Sequence, residues 1–575
     1  MTEPAAPGRA AEIAAGYRTD TPAVELGTVV LGGQVDPQAR VRIPLAMMNR
    51  HGLVAGATGT GKTKTLQVIA EQLADAGVPV LLPDIKGDLT GLATAGEPGA
   101  KITARAAETG ADWSAAAYPV EYFCLAGQGP GVPIRATIDS FGPLLLSKVL
   151  ELNDTQESTL GLIFHWADQR GLPLLDIKDL RSVIMHLTSD EGKADLQELG
   201  GVSRSTAGVI LRAVTNLEAQ GGDTFFGEPE LKVADLLRVG PDGRGVVSLL
   251  EVAELQTRPQ LYSTFLMWLL AELFEELPEA GDLDKPKLVF LFDEAHLLFA
   301  DASKAFLTAI AQTVKLIRSK GVGVFFCTQQ PTDVPGPVLS QLGARVQHAL
   351  RAFTPDDQKA LAATVRTYPV TDDYDLSSAL TSLGIGEAIV TVLDERGAPT
   401  PVAWTRIRPP RSRMAPTDTA AIDATVAASP LLATYGTAVD RESAYEMLTG
   451  RIAAAATEPE AVVAPVAAPA PAPAPVPVPA APVPAVAAPG PAISGDALPP
   501  VELPSPTWDN PNATTFYPVA PDPYVAPPVP SAGGGGLGGL LGSPAVSAFV
   551  GAFGAALGGA IGRSVNGTRR RRRRR

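Results

Sequence analysis

Eight consecutive residues, Gly56, Ala57, Thr58, Gly59, Thr60, Gly61, Lys62 and Thr63, fit the spacing G-x-x-x-x-G-K-[ST]. These residue types in this order suit the grip of a nucleoside triphosphate. Glycines let the backbone pass close to phosphate oxygens, so several N–H groups point inward as an anion nest. A helix starting at Lys62 adds its positive N-terminal end. The Lys62 ammonium is expected to reach the β- and γ-phosphates, and the Thr63 hydroxyl to ligate Mg2+. Lys64 is counted with the ATP-binding residues.

A second group stands 231 positions after Lys62. Five apolar residues, 288–292, end in Asp293 and Glu294. Such an apolar run reads as a parallel strand buried on both faces, with its C-terminal end at the ligand crevice. Asp293 there would hold the magnesium through water, and Glu294 would polarise the attacking water. His296 reads as a helix-start residue. The run 325–330 ends another apolar strand, and Gln329 could hydrogen-bond the γ-phosphate or the water. Arg345 or Arg351 could reach a neighbouring subunit's ATP and stabilise transition-state charge. Asp84 could join the magnesium shell and Lys86 could face ATP or substrate. A turn built from Asp and Gly explains residues 84–88 equally well. Lys315, Arg318 and Lys320 form a basic patch at one helix end, where cations also suit the helix dipole.

The elements that must position these residues follow from periodicity. Segments 24–30 and 41–45 read as short strands around a Gly-Gly turn. Segments 51–55, 78–82 and 120–124 are strands, and 64–76 has helical spacing. Strand–helix–strand alternation makes this an α/β chain with a mostly parallel sheet covered by helices. Residues 144–240 break the alternation with helical patterns and read as an insertion. Strand signals return at 245–250, 288–292 and 322–327, and 387–393 with 402–407 form a hairpin. The expected divisions are an N-terminal segment (1–48), a first core part (49–143), the insertion (144–240) and a second core part (241–415). A helical segment (416–454), a Pro/Ala-rich linker (455–535) and a Gly/Ala-rich, Arg-ended tail (536–575) follow.

Composition narrows the classes. The 575 residues carry a formal net charge of −14 even with seven arginines from Arg569 to Arg575. An acidic body does not suggest broad nucleic-acid coating, but leaves a locally basic channel open. Two cysteines, Cys124 and Cys327, in apolar runs make neither a disulfide framework nor a metal site. Residues 1–20 lack the apolar core of a secretory signal, so a cytoplasmic setting is expected. The 18 uncharged residues 545–562 are at the lower limit for a spanning helix, and rich in Ala, Gly and Ser. With the terminal arginines they could make a peripheral membrane contact, a helix-pairing tail or a flexible tail. The arginines themselves could bind nucleic acid or anionic lipid.

Several motifs together resemble the HerA/FtsK-type ATPases, and most closely the YjgR-type, HerA-like helicase family of bacteria. They are Asn49-Arg50-His51-Gly52 before the phosphate loop, Asp84-Ile85-Lys86-Gly87-Asp88, Asp293-Glu294 and Thr328-Gln329. Leu152-Asn153-Asp154-Thr155-Gln156-Glu157, Phe225-Phe226-Gly227-Glu228-Pro229 and Arg345-Val346-Gln347-His348-Ala349-Leu350-Arg351 belong to the same resemblance. It spans about 24–414 and implies a RecA-like P-loop core, a homo-hexameric ring and translocation on double-stranded DNA. Gln330 stands where FtsK relatives have Arg. The function expected is therefore an ATP-hydrolysing DNA translocase or helicase. The alternatives are an ATPase that remodels or transports proteins, as secretion-coupling ATPases do, and a membrane-tethered nucleotide-binding scaffold.

Overall fold

The computed structural model describes residues 8–457, except 126, 193, 196–202, 254–258, 282 and 300–303. The Pro/Ala-rich linker, the apolar segment 545–562 and the arginine run lie outside the described residues. Among the described residues, no helix is long and apolar enough to cross a membrane.

Twelve strands form one sheet. They are β1 (Ala23–Leu31), β2 (Gln34–Pro44), β3 (Gly52–Ala55), β4 (Val80–Asp84), β5 (Val120–Leu125) and β6 (Val132–Ile134). The others are β7 (Val247–Glu251), β8 (Leu288–Phe292), β9 (Val322–Thr328), β10 (Ala344–Gln347), β11 (Glu387–Thr391) and β12 (Ala403–Ile407). Their order across the sheet is β2-β1-β12-β11-β10-β3-β9-β8-β4-β7-β5-β6. From β10 to β6 neighbouring strands are parallel. From β10 to β2 they are antiparallel. The arrangement is α/β with a mostly parallel sheet.

The apolar runs are continuous because both faces of the central strands are covered. Leu53, Ala55, Leu81, Phe290 and Phe292 face one core, shared with the helical region. Val54, Val80, Leu82, Val289 and Leu291 face a second core, shared with the helix Lys62–Asp75. Strand residues therefore alternate between two dry interiors rather than between core and water.

The N-terminal strands are longer than 24–30 and 41–45. They are a hairpin turning at Gly32-Gly33, both in the left-handed region, and β1 pairs with β12 to extend the main sheet. The region after β6 contains Ile138–Val149, Asp154–Gln169, Ile177–Thr188 and Arg204–Leu217, all helical. Asn153 and Asp176 start two of these helices with reciprocal capping boxes. A helix covers Ala444–Thr457, slightly past the expected helical segment 416–454. That segment is tied down where Ser443 Oγ and Tyr445 N donate to Asp179 Oδ1 at 2.5 and 2.9 Å.

Candidate nucleotide site

The parallel strands bring their C-terminal ends to one edge of the sheet. In the order β3, β9, β8, β4, β7, that edge presents Gly56, Gln329, Asp293-Glu294, Asp84 and Glu251. Strands are spaced about 4.8 Å apart, so β3 and β8 are separated by roughly 10 Å, with β9 between them. Five segments distant in sequence thus converge on one crevice.

The loop between β3 and the helix Lys62–Asp75 is held from behind. Gly56 N donates to Thr328 O at 3.2 Å and Ala57 N to Ala349 O at 2.8 Å. Thr60 Oγ1 donates to Ala57 O at 2.7 Å. Gly56, at φ 152°, admits no side chain, because a Cβ there would lie 2.5 Å from His348 Cβ. Gly61, at φ 114°, precedes the helix without any side-chain cap. The first N–H groups of that helix are left without a capping side chain, which suits an anion. Lys62 is buried, and its Nζ donates to Ala57 O at 3.3 Å across the loop.

His348 anchors this arrangement from below. It is fully buried, with Nδ1 2.8 Å from Glu387 O and Nε2 2.9 Å from Thr65 Oγ1. A carbonyl only accepts, so Nδ1 carries the proton and Nε2 accepts from the Thr65 hydroxyl. Burial lowers the His348 pKa to about 4, which keeps the ring neutral. Glu71, on the same helix, accepts from Arg411 N, Ser412 N and Ser412 Oγ. Lys64 Nζ donates to Met414 O at 2.6 Å and Gln67 Oε1 at 3.1 Å. Its ammonium is thus engaged with the segment after β12, as Glu71 is.

The carboxylates of the edge have different surroundings. Asp293 is buried, and its Oδ1 accepts from Glu294 N at 3.0 Å. Its Oδ2 is buried without a hydrogen-bond partner, and burial raises its pKa. An orphaned acceptor beside a phosphate loop fits a hydrated divalent cation, so Asp293 with Thr63 is a fitting donor set for Mg2+. Glu294 sits at φ 46°, a conformation rare outside glycine, and is buried. Its Oε2 lies 3.2 Å from His296 Nδ1, and its Oε1 pairs with Lys86 Nζ. The His296 contact first, and Lys86 next, hold the Glu294 carboxyl down at about 2 against the effect of burial. It is therefore ionised, as a base must be.

Asp84 is spent on its own turn. Its Oδ1 accepts from Lys86 N at 3.1 Å and Gly87 N at 2.7 Å, and its Oδ2 from Leu89 N at 2.8 Å. This is the turn reading of residues 84–88, with Lys86 aimed at Glu294. Burial raises Asp84 to about 6. Gln329 is exposed at the end of β9, next to the phosphate loop. Arg351 Nη2 lies 3.4 Å from Thr58 O, beside the phosphate loop of its own chain. Arg345 is elsewhere. It lies in β10 opposite Leu53, towards the other edge of the sheet.

His296, read as a helix-start residue, does begin the helix His296–Phe299 but also contacts Glu294. Its position two residues after the acid was the available signal. The Lys86–Glu294 pair, His348 and Glu251 were missed as site residues. Lys86 and Glu294 are 208 positions apart, and only the adjacency of β4 and β8 joins them. Cys124 and Cys327 are free, buried thiols.

The family profile described as Helicase HerA-like C-terminal matches residues 30–472. No curated protein matches the sequence. Among solved structures, the chain is similar to the bacterial conjugative coupling protein TrwBdeltaN70 in its unbound monoclinic form. That match has 15% identity and a TM-score of 0.46, and covers 71% of this chain and 95% of that one. It is similar to the plasmid coupling protein TrwB in complex with ADP and Mg2+, with 16% identity and a TM-score of 0.47, over 71% and 94% of the two chains. It is also similar to VirB4 of Thermoanaerobacter pseudethanolicus, with 15% identity and a TM-score of 0.41, over 68% and 98%. With its phosphate loop and paired carboxylates on one sheet edge, and a match over most of its length, the chain belongs to the HerA-like helicase family of P-loop ATPases.

Proposed function

We propose that the chain is an ATP-driven motor that moves along or remodels duplex DNA as a ring of like subunits, six in the arrangement its resemblance implies. The observation that carries the catalytic part is Glu294, ionised and buried beside Asp293 at the strand end facing the phosphate loop. In this reading Gly56, Ala57, Thr58, Gly59, Thr60 and Gly61 present backbone N–H groups to the phosphates of ATP. Lys62 neutralises the β- and γ-phosphates. Thr63 and Asp293 hold Mg2+, which would offset charge that builds on the phosphates during transfer. Glu294 orients the attacking water and takes up its proton, while Lys86 and His296 hold the carboxylate in place. Gln329, exposed at the end of the intervening strand, contacts the γ-phosphate or the water. Arg345 faces away from its own chain's site, so any action of it on ATP is on a second copy.

The DNA part is supported by the family's helicase description. The test is steady-state ATP hydrolysis with and without linear duplex DNA. Stimulation by DNA supports the motor reading. Turnover indifferent to DNA moves the substrate to a protein.

A further inference from the structure

At the edge of the sheet opposite the phosphate loop there is a recess of about 550 Å³, a size typical of small-ligand sites. Its basic lining residues come from three places. Arg50 lies just before β3, Arg345 on β10, and Lys315 and Arg318 at the end of the helix Lys304–Ile317. The backbone fixes these segments together. Gly343 N donates to Arg50 O and Ala344 N to His51 O, both at 3.0 Å, and Val324 N donates to His51 Nδ1 at 3.0 Å.

Among the described residues, no Asp or Glu lines the recess. This is unusual in a chain of net charge −14. Several arginines elsewhere are matched: Arg406 pairs with Glu387 and Glu108, Arg408 with Glu25 and Arg238 with Glu121. Lys320, from the same basic stretch as Lys315, pairs with Glu279. Among the described residues, Arg50, Lys315 and Arg345 have no carboxylate partner. Converging like charges repel each other, and a bound anion removes that cost.

We propose that this recess is a second anion site, separate from the phosphate loop, for a small diffusible molecule carrying a phosphate or pyrophosphate group. The guanidinium groups of Arg50, Arg318 and Arg345 supply forked donors for phosphate oxygens, and Lys315 supplies a point charge at the mouth. A recess takes a ligand in rather than reaching out, and this one is far too narrow for a duplex to enter. It lies roughly 15 Å from the phosphate loop, since about five residues at 3.3 Å each separate His51 from Gly56. One triphosphate in the loop does not occupy both sites. The inference goes beyond the proposed function and does not depend on it.

The test is isothermal titration of sodium pyrophosphate into the full-length Lys62→Ala protein, whose phosphate loop is disabled. The expected result is one site per subunit, weakened about tenfold or more in Lys62→Ala/Lys315→Glu. Lys315 is exposed, so the reversal leaves the fold intact, and thermal unfolding checks this. Lys62→Ala/Arg50→Gln is expected to lose affinity in the same way. No binding to Lys62→Ala, or equal binding by all three proteins, overturns the proposal. Displacement of pyrophosphate by a short duplex DNA, lost with Lys315→Glu, also overturns it by assigning the basic groups to a DNA surface.

Discussion

At one edge of the sheet, β4 and β7 end in Asp84 and Glu251, and β8 leads into Asp293 and Glu294. At the other edge, Arg50 and Arg345 stand at the beginnings of β3 and β10, with Lys315 and Arg318 close by. The same parallel strands therefore separate negative from positive residues by about their own length. Parallel pairing gathers all strand ends of one kind on one edge, so each edge can be built for one charge. The acidic edge manages its charges individually. Asp84 is hydrogen-bonded by its turn, Glu294 is paired with Lys86 and lies against His296, and Asp293 retains an unpartnered oxygen. Glu251 is raised to about 8, chiefly by burial and then by Asp84. Among the described residues, Arg50, Lys315 and Arg345 of the basic edge have no carboxylate partner.

The strongest way to break this contrast is to remove the one cation that serves the acidic edge from within the phosphate loop. Lys62→Ala is expected to weaken ATP binding by more than about a hundredfold, read by fluorescent-nucleotide titration. Retained affinity would mean that the backbone nest alone holds the phosphates. Lys86→Ala comes next. It strips one partner from the buried Glu294, and kcat for ATP hydrolysis should fall about tenfold with little change in KM, while Lys86→Arg restores most of the loss. A matching fall with Lys86→Arg, or a change confined to KM, would place Lys86 on the substrate instead.

Glu251→Gln sharpens the comparison through pH. The folded carboxyl holds its proton up to about 8, whereas an unfolded one loses it near its ordinary 4.5. Folding then takes up a proton between these values, so the stability contributed is complete below about 4.5 and is lost as pH rises towards 8. Glu251→Gln lacks this loss. Its midpoint in thermal unfolding should exceed that of the wild type by a few degrees at pH 8, and the difference should vanish near pH 4.5. An equal difference at both pH values would remove ionisation as the cause.

Legibility in the sequence followed locality. The phosphate loop and the strand ending in Asp293-Glu294 each lie within eight residues, so local spacing was enough to single them out. The apolar runs of β8 and β9 announced strands buried on both faces. The joining of the N-terminal hairpin to β12 was hidden, because the pairing spans more than 370 positions. The partners of Glu294 were hidden for the same reason in the case of Lys86. His296 was adjacent, but a helix start offered a sufficient account of it. The basic recess was visible only in halves. Lys315 and Arg318 stood out as a patch with Lys320, yet the structure sends Lys320 to Glu279 and brings Arg50 and Arg345 in its place. Arg345 was preferred over Arg351 in sequence as the arginine to reach a neighbouring ATP. Only the short parallel β10 puts six residues of difference on opposite sides of the sheet.

The most direct test of the central claim is the rate of ATP hydrolysis by Glu294→Gln at saturating Mg·ATP beside the wild type, with nucleotide affinity measured in parallel. The account predicts a fall in kcat of about a hundredfold or more at nearly unchanged affinity, because the amide fits the same space but cannot take the water's proton. Equal turnover by the two proteins would contradict it and remove Glu294 from the chemistry.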